Sequence, residues 1–127
     1  MTENEIAKLV LDAAFAVHPS SVGLLESVYE VISAYELKKR GLTAERQKPM
    51  PIVYDNIRFE EAFRSHLIMN GKVIAELKSV EALLPVHAKQ LLTQLRLSGL
   101  KLGLLINFGE AHLKNGIKRV INGHLDA

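Results

Sequence analysis

The sequence predicts one α/β domain built on a mixed sheet, with its elements in the order α-α-β-β-β-α-β-β. Three patterns predict it. Apolar residues recur at helical spacing near the start of the chain, over about 24–40, and after Pro85. Short extended runs separated by turn residues occupy the middle, from Pro49 to Lys78. A nearly unbroken apolar run, Leu102 to Phe108, has the character of an internal strand.

Each element has its own grounds. In the first helix Ile6, Leu9, Val10, Ala13, Ala14 and Val17 fall on one face, and Pro19-Ser20-Ser21 ends it. The second helix takes Leu25, Val28, Ile32 and Tyr35 as its buried stripe. Ser20 or Ser21 offers it an N-cap, Lys38, Lys39 and Arg40 suit its C-terminal dipole, and Gly41 fits the position just past its end. Pro49 to Tyr54 reads as an edge segment, because its two prolines lack an N–H. Asp55-Asn56 turns the chain into Ile57-Arg58-Phe59. Phe63 to Met69 and Lys72 to Lys78 flank Asn70-Gly71, a hairpin signal. Pro85 suits the first position of the third helix, which leaves Val86, Leu91, Leu92, Leu95 and Leu97 partly buried and closes at Gly99. Asn115-Gly116 then turns into a last edge strand, Ile117 to Ile121.

Composition narrows the function. The 127 residues form a single domain, 1–127, without linker, repeat or low-complexity segment. Cysteine is absent, which excludes disulfides, thiolate zinc sites and cysteine nucleophiles and suits a cytoplasmic location. No apolar run approaches the roughly 20 residues that span a bilayer, so no membrane partner is expected. Met1 to Glu5 is acidic and polar, unlike a signal peptide. A net charge of +2 does not by itself point to nucleic acid. The cations do cluster, as Lys38, Lys39, Arg40, Arg46 and Lys48, and again as Lys89, Arg96 and Lys101. A solvated lysine face is the plain alternative, since aromatic residues make up only 6% and do not interleave with the cations.

Three motifs carry chemistry: Gly23-Leu24-Leu25-Glu26-Ser27-Val28-Tyr29, the strand end Glu76-Leu77-Lys78, and the helix start Pro85-Val86-His87-Ala88-Lys89-Gln90. Two residues apart on a strand, Glu76 and Lys78 point to one face. A carboxylate there can hold a hard divalent cation, and an ammonium beside it can position attacking water or steady developing negative charge. Glu26 lies in the first turn of its helix, where an acid is favoured whether or not it has a further role.

In this order the motifs resemble the GxxExxY family, a branch of the PD-(D/E)XK nuclease-like superfamily. The likeness runs from the first helix to Gly116-Ile117-Lys118-Arg119-Val120-Ile121-Asn122 and includes Gly99 to Gly109. It implies a restriction-endonuclease-like core and a nuclease-like protein that hydrolyses phosphodiester bonds in nucleic acid. By the same resemblance Glu26, Glu76, Lys78 and Gln90 would be catalytic. His87 would contact phosphate or cap its helix. His18 packs against Tyr29 or serves the site, and Tyr29 belongs to the core or supports the site from behind.

One position departs. Where the family places a metal-binding aspartate, Phe63-Arg64-Ser65-His66-Leu67 presents His66. The metal set would then be Glu26, His66 and Glu76. Imidazole supplies nitrogen instead of a charged oxygen, which weakens Mg or Mn and favours Zn or another transition metal. The open outcomes are an inactive pseudonuclease that only binds nucleic acid or protein, a transition-metal site, or recruitment of Glu60 or Glu61. A two-residue Asn70-Gly71 loop would pair Ser65 with Glu76 and put His66 on the opposite face. A three-residue Met69-Asn70-Gly71 loop would pair Arg64 with Glu76 and keep His66 on its face, as the resemblance implies. A homodimer through the Ile117 to Ile121 edge is a further possible arrangement.

Overall fold

Thr2 and Glu5 start the first helix reciprocally. The Glu5 amide donates to Thr2 Oγ1 and the Thr2 amide to Glu5 Oε1. In this computed structural model, which describes residues 1–20 and 23–125, that helix is α1, Glu3–Val17. It is followed by α2 (Glu26–Lys39), β1 (Ala44–Tyr54), β2 (Ile57–Met69), β3 (Val73–Lys78), α3 (Pro85–Ser98), β4 (Leu102–Asn107) and β5 (Ile117–Ile121). The element order is the one the sequence predicts. The five strands form one sheet in the order β1-β2-β3-β4-β5, antiparallel except for the parallel pair β3–β4. The β3–α3–β4 crossover makes that parallel pair possible.

Side-chain alternation gives the sheet two buried faces. Leu67, Met69, Ala75, Leu77, Leu104 and Ile106 pack against α1 and α2. Ile68, Ile74, Leu105 and Val120 pack against Leu91 and Leu95 of α3. The result is three layers, with β4 buried along its whole length and β5 at an edge, both as expected from sequence.

α2 is rotated from the orientation its apolar spacing predicts. Leu25, Val28 and Tyr35 are exposed, and Ile32 is half-buried. The inward residues are Tyr29, Glu30, Ser33, Ala34 and Leu37. Two contacts explain the rotation. Tyr29 stacks on Phe108 with ring centroids 4.5 Å apart, and Glu30 receives Gln47 Nε2 at 2.8 Å beside Arg46 Nε at 3.3 Å. A buried carboxylate is tolerable only with such partners, and they come from β1, far along the chain. The N-cap of α2 is Leu25, without a side-chain cap; the Ser20 side chain and all of Ser21 lie outside what the structure describes. On α3, Leu91 and Leu95 are buried and Leu92 is half-buried, but Val86 and Leu97 are exposed.

β1 and β2 are longer than the sequence runs suggest. β3 pairs only with Leu67–Met69 of β2. Beyond that point β1 and β2 continue as a two-stranded ribbon, exposed from Val53 to Ala62. Asp55, with φ of 51°, makes the expected turn at its tip.

Candidate functional site

The β2–β3 register decides what faces Glu76. Met69 pairs with Val73, Ile68 with Ile74 and Leu67 with Ala75, around a loop of Asn70, Gly71 and Lys72. Asn70 and Gly71 both take left-handed backbone, at φ of 52° and 63°. This is neither register considered from sequence. Counting on from Leu67 sets His66 directly across from Glu76, on the same face.

The ladder opens at that rung. Neither Gln47–His66 nor His66–Glu76 is a paired position, although pairing exists on at least one side of each. Side chains take over the vacated backbone groups. The His66 amide donates to Glu76 Oε1 at 3.3 Å, and the Leu77 amide donates to His66 Nδ1 at 3.1 Å. Nδ1 also lies 3.5 Å from Glu76 Oε2. On the α3 side, Gln94 lies near enough to Glu76 to favour its charged form slightly, while its Oε1 accepts from the buried Ser65 hydroxyl at 3.3 Å. Lys78, half-buried and two residues along the strand, adds a favourable charge.

Burial dominates at Glu76 and pushes its carboxyl above the usual carboxylate range, opposed by His66, Lys78 and Gln94. A pKa raised on folding contributes stability below the unfolded pKa, and that contribution is lost as pH rises through the folded pKa. Glu76→Gln keeps an acceptor for the His66 amide and removes the titration. The variant is therefore expected to melt above the parent at pH 8, with the gap closing toward pH 4. Each kcal/mol corresponds to about 4 °C in a domain of this size. Parallel pH profiles of thermal unfolding for the two proteins would refute the assignment.

Glu26, the first residue of α2, meets the chain just past the C-terminal end of β3. Its Oε2 accepts from the Ser79 amide at 3.4 Å, and the Ser79 hydroxyl donates to Leu24 O at 3.0 Å. Tyr29 Oη receives the Leu24 amide at 3.3 Å. Gly23, at φ of 66°, supplies the turn before Leu24. The glycine, glutamate and tyrosine of the motif thus fasten the α2 start to the residue after Lys78. Tyr29 belongs to the core; His18 stacks on Phe108, with Phe108 stacked in turn on Tyr29. His87 Nδ1 accepts the Leu84 amide at 3.0 Å, which caps α3. Gln90 is exposed on α3. The glutamine that reaches Glu76 is Gln94, one turn further on, and neither it nor Ser65 stood out in the sequence. Helical periodicity is the signal that could have found Gln94, since residues four apart share a face.

A hard divalent cation asks for several converging oxygens. Among the described residues no three His, Asp or Glu side chains are grouped closely enough to hold one. An amide N–H can only donate, so His66 Nδ1 is an acceptor, and the neutral ring carries its proton on Nε2. That leaves the imidazole no lone pair for a metal. The donor set, as arranged, does not fit the divalent ion that nuclease chemistry of this kind uses.

The cation clusters differ in kind. Lys39 and Arg40 pair with Glu36, Arg46 with Glu30 and Lys48 with Glu45, which neutralises most of the first cluster. No ion pair of the described residues engages Lys89, Arg96 or Lys101.

A three-layer domain with a mixed sheet, and an acid–amine couple at the C-terminal end of the central strand, defines a nuclease-like protein of restriction-endonuclease-like fold. The family model described as the PD-(D/E)XK nuclease superfamily matches residues 4–120. The chain belongs to that superfamily. No curated protein and no solved structure matches it. No helix among the described residues is long and apolar enough to cross a membrane.

Proposed function

We propose that this chain is a pseudonuclease of the GxxExxY branch: a nucleic-acid-binding domain that keeps the nuclease fold while His66 closes its hydrolytic centre. One observation carries the reading. His66 sits across from Glu76 and accepts the Leu77 amide through Nδ1, so the position that should add a charged oxygen instead joins a closed set of hydrogen bonds. The protein is expected to bind nucleic acid and to leave plasmid and single-stranded substrates intact with Mg²⁺. Incubation with Mg²⁺, Mn²⁺ and Zn²⁺ in turn, beside the Lys78→Ala variant, tests this.

A second reading has its own support, because Glu76 and Lys78 are both retained on one face and Glu26 is fastened one residue beyond Lys78. On that reading the protein is a phosphodiesterase in which Glu26, His66 and Glu76 rearrange around a transition metal and Lys78 steadies the attacking water or the phosphate. Metal-dependent cleavage that disappears in Lys78→Ala would replace the first reading with this one. Neither binding nor cleavage would remove both.

A further inference from the structure

α3 and the β1–β2 ribbon enclose a groove that starts at the Glu76 site and runs outward. Its inner part, about 400 Å³, lies between Phe63 and Ile52 of the ribbon and Gln90, Gln94 and Leu97 of the helix. Its outer part, about 340 Å³, shares Ile52 and Leu97 and adds Arg58 and Arg96. Gln94 links groove and site, because the side chain that bonds Ser65 beside Glu76 also lines the inner part.

We propose that this groove seats a single strand of nucleic acid, an inference that rests on the nucleic-acid-binding reading above. An unpaired base lies on Phe63, Ile52 and Leu97, with its edge toward Gln90. The neighbouring phosphates meet Arg96 and Arg58. Charge supports the direction of the strand. The part beside Gln94 is lined by no cation, which suits an exposed base face, and the arginines line only the part beyond it. Among the described residues Arg96 makes no ion pair, while the exposed Arg58 shares its Nε with Glu60 at 2.5 Å, so Arg96 is the stronger phosphate contact. A duplex fits poorly, since it stacks its base faces away from such a platform and presents phosphates to an apolar wall. The ribbon forming that wall is two-stranded where it leaves the sheet. Such hairpins are marginal alone, so this wall can adjust around a strand.

Fluorescence anisotropy with a labelled single-stranded oligonucleotide in EDTA tests the proposal, with the matching duplex as competitor. The intact protein should prefer the single strand. Arg96→Glu should weaken binding about tenfold and flatten its salt dependence by about one charge. Phe63→Ala should weaken it about tenfold through lost stacking, and Phe63→Leu, which keeps an apolar filler, should do nearly the same. Lys118→Ala, which removes an exposed cation on β5 at the other edge of the sheet, should bind like the parent if the groove carries the affinity. Nucleic-acid binding that ignores the Arg96 and Phe63 substitutions, or tighter binding to duplex, overturns the groove and leaves the binding reading standing. No binding to either form overturns both. Mg²⁺-dependent cleavage by the parent overturns only the closed centre.

Discussion

If the pseudonuclease reading holds, His66→Asp is expected to bring in Mg²⁺-dependent cleavage at least about 100-fold above the parent. Single metal contacts and their supports are commonly worth about 10–100-fold in affinity or activity. Here one substitution changes two things together. It adds a charged oxygen on the face of Glu76, and it withdraws the imidazole acceptor that holds the Leu77 amide. Two carboxylates then stand across one rung, which repel each other until a cation lies between them. The variant should therefore be less stable than the parent without metal and regain stability as Mg²⁺ is added, by linkage to binding. The parent should show no such response. Plasmid nicking measures the first effect, and thermal unfolding over a Mg²⁺ titration measures the second. A folded variant that neither cuts DNA nor responds to Mg²⁺ would mean that His66 is not what silences the site.

The reason this site could be half read from sequence lies in the kinds of signal involved. Glu76 and Lys78 share a strand, so alternation alone put them on one face. Local turn chemistry located the β2–β3 hairpin. It did not set the register, because that depends on whether Met69 or Lys72 joins the loop, and the backbone settled on Asn70, Gly71 and Lys72. The α2 error has a different origin. Apolar spacing assigned Leu25, Val28, Ile32 and Tyr35 to the core, but Glu30 is buried by partners on β1 and Tyr29 by Phe108 on the turn after β4. Tertiary partners outweighed amphipathicity there, and nothing local to the helix records them. Gln94 was obscured by Gln90, which sits in the more recognisable stretch of α3.

Gly109→Ala is expected to cost about 3 kcal/mol or more, because of the eight glycines it is the one whose added Cβ would come nearest to another atom. A Cβ on Gly109 would lie 2.2 Å from Val80 O and 2.8 Å from Val80 N, and a contact with backbone cannot be relieved by a rotamer change. Those same Val80 groups are gripped by Asn107, which is fully buried at the end of β4. Its Oδ1 accepts the Val80 amide at 3.0 Å and the Gly109 amide at 3.0 Å, and its Nδ2 donates to Val80 O at 2.9 Å. The Phe108 amide adds a bond to Lys78 O at 2.8 Å. Together these tie the chain after β3 to the end of β4, and so hold Lys78 and Ser79 where Glu26 meets them. Asn107→Ala leaves three backbone groups without partners at about 1–3 kcal/mol each when they stay dry, so a loss of about 3 kcal/mol is expected after water reaches some of them. Asn107→Asp keeps the acceptor, loses the donor and sets a carboxylate against Val80 O, so it should fall well below the parent at neutral pH. Urea unfolding of the three variants checks the order. A Gly109→Ala protein within about 0.5 kcal/mol of the parent, the range of an ordinary surface change, would show that the Val80 segment yields freely and does not fix the strand end.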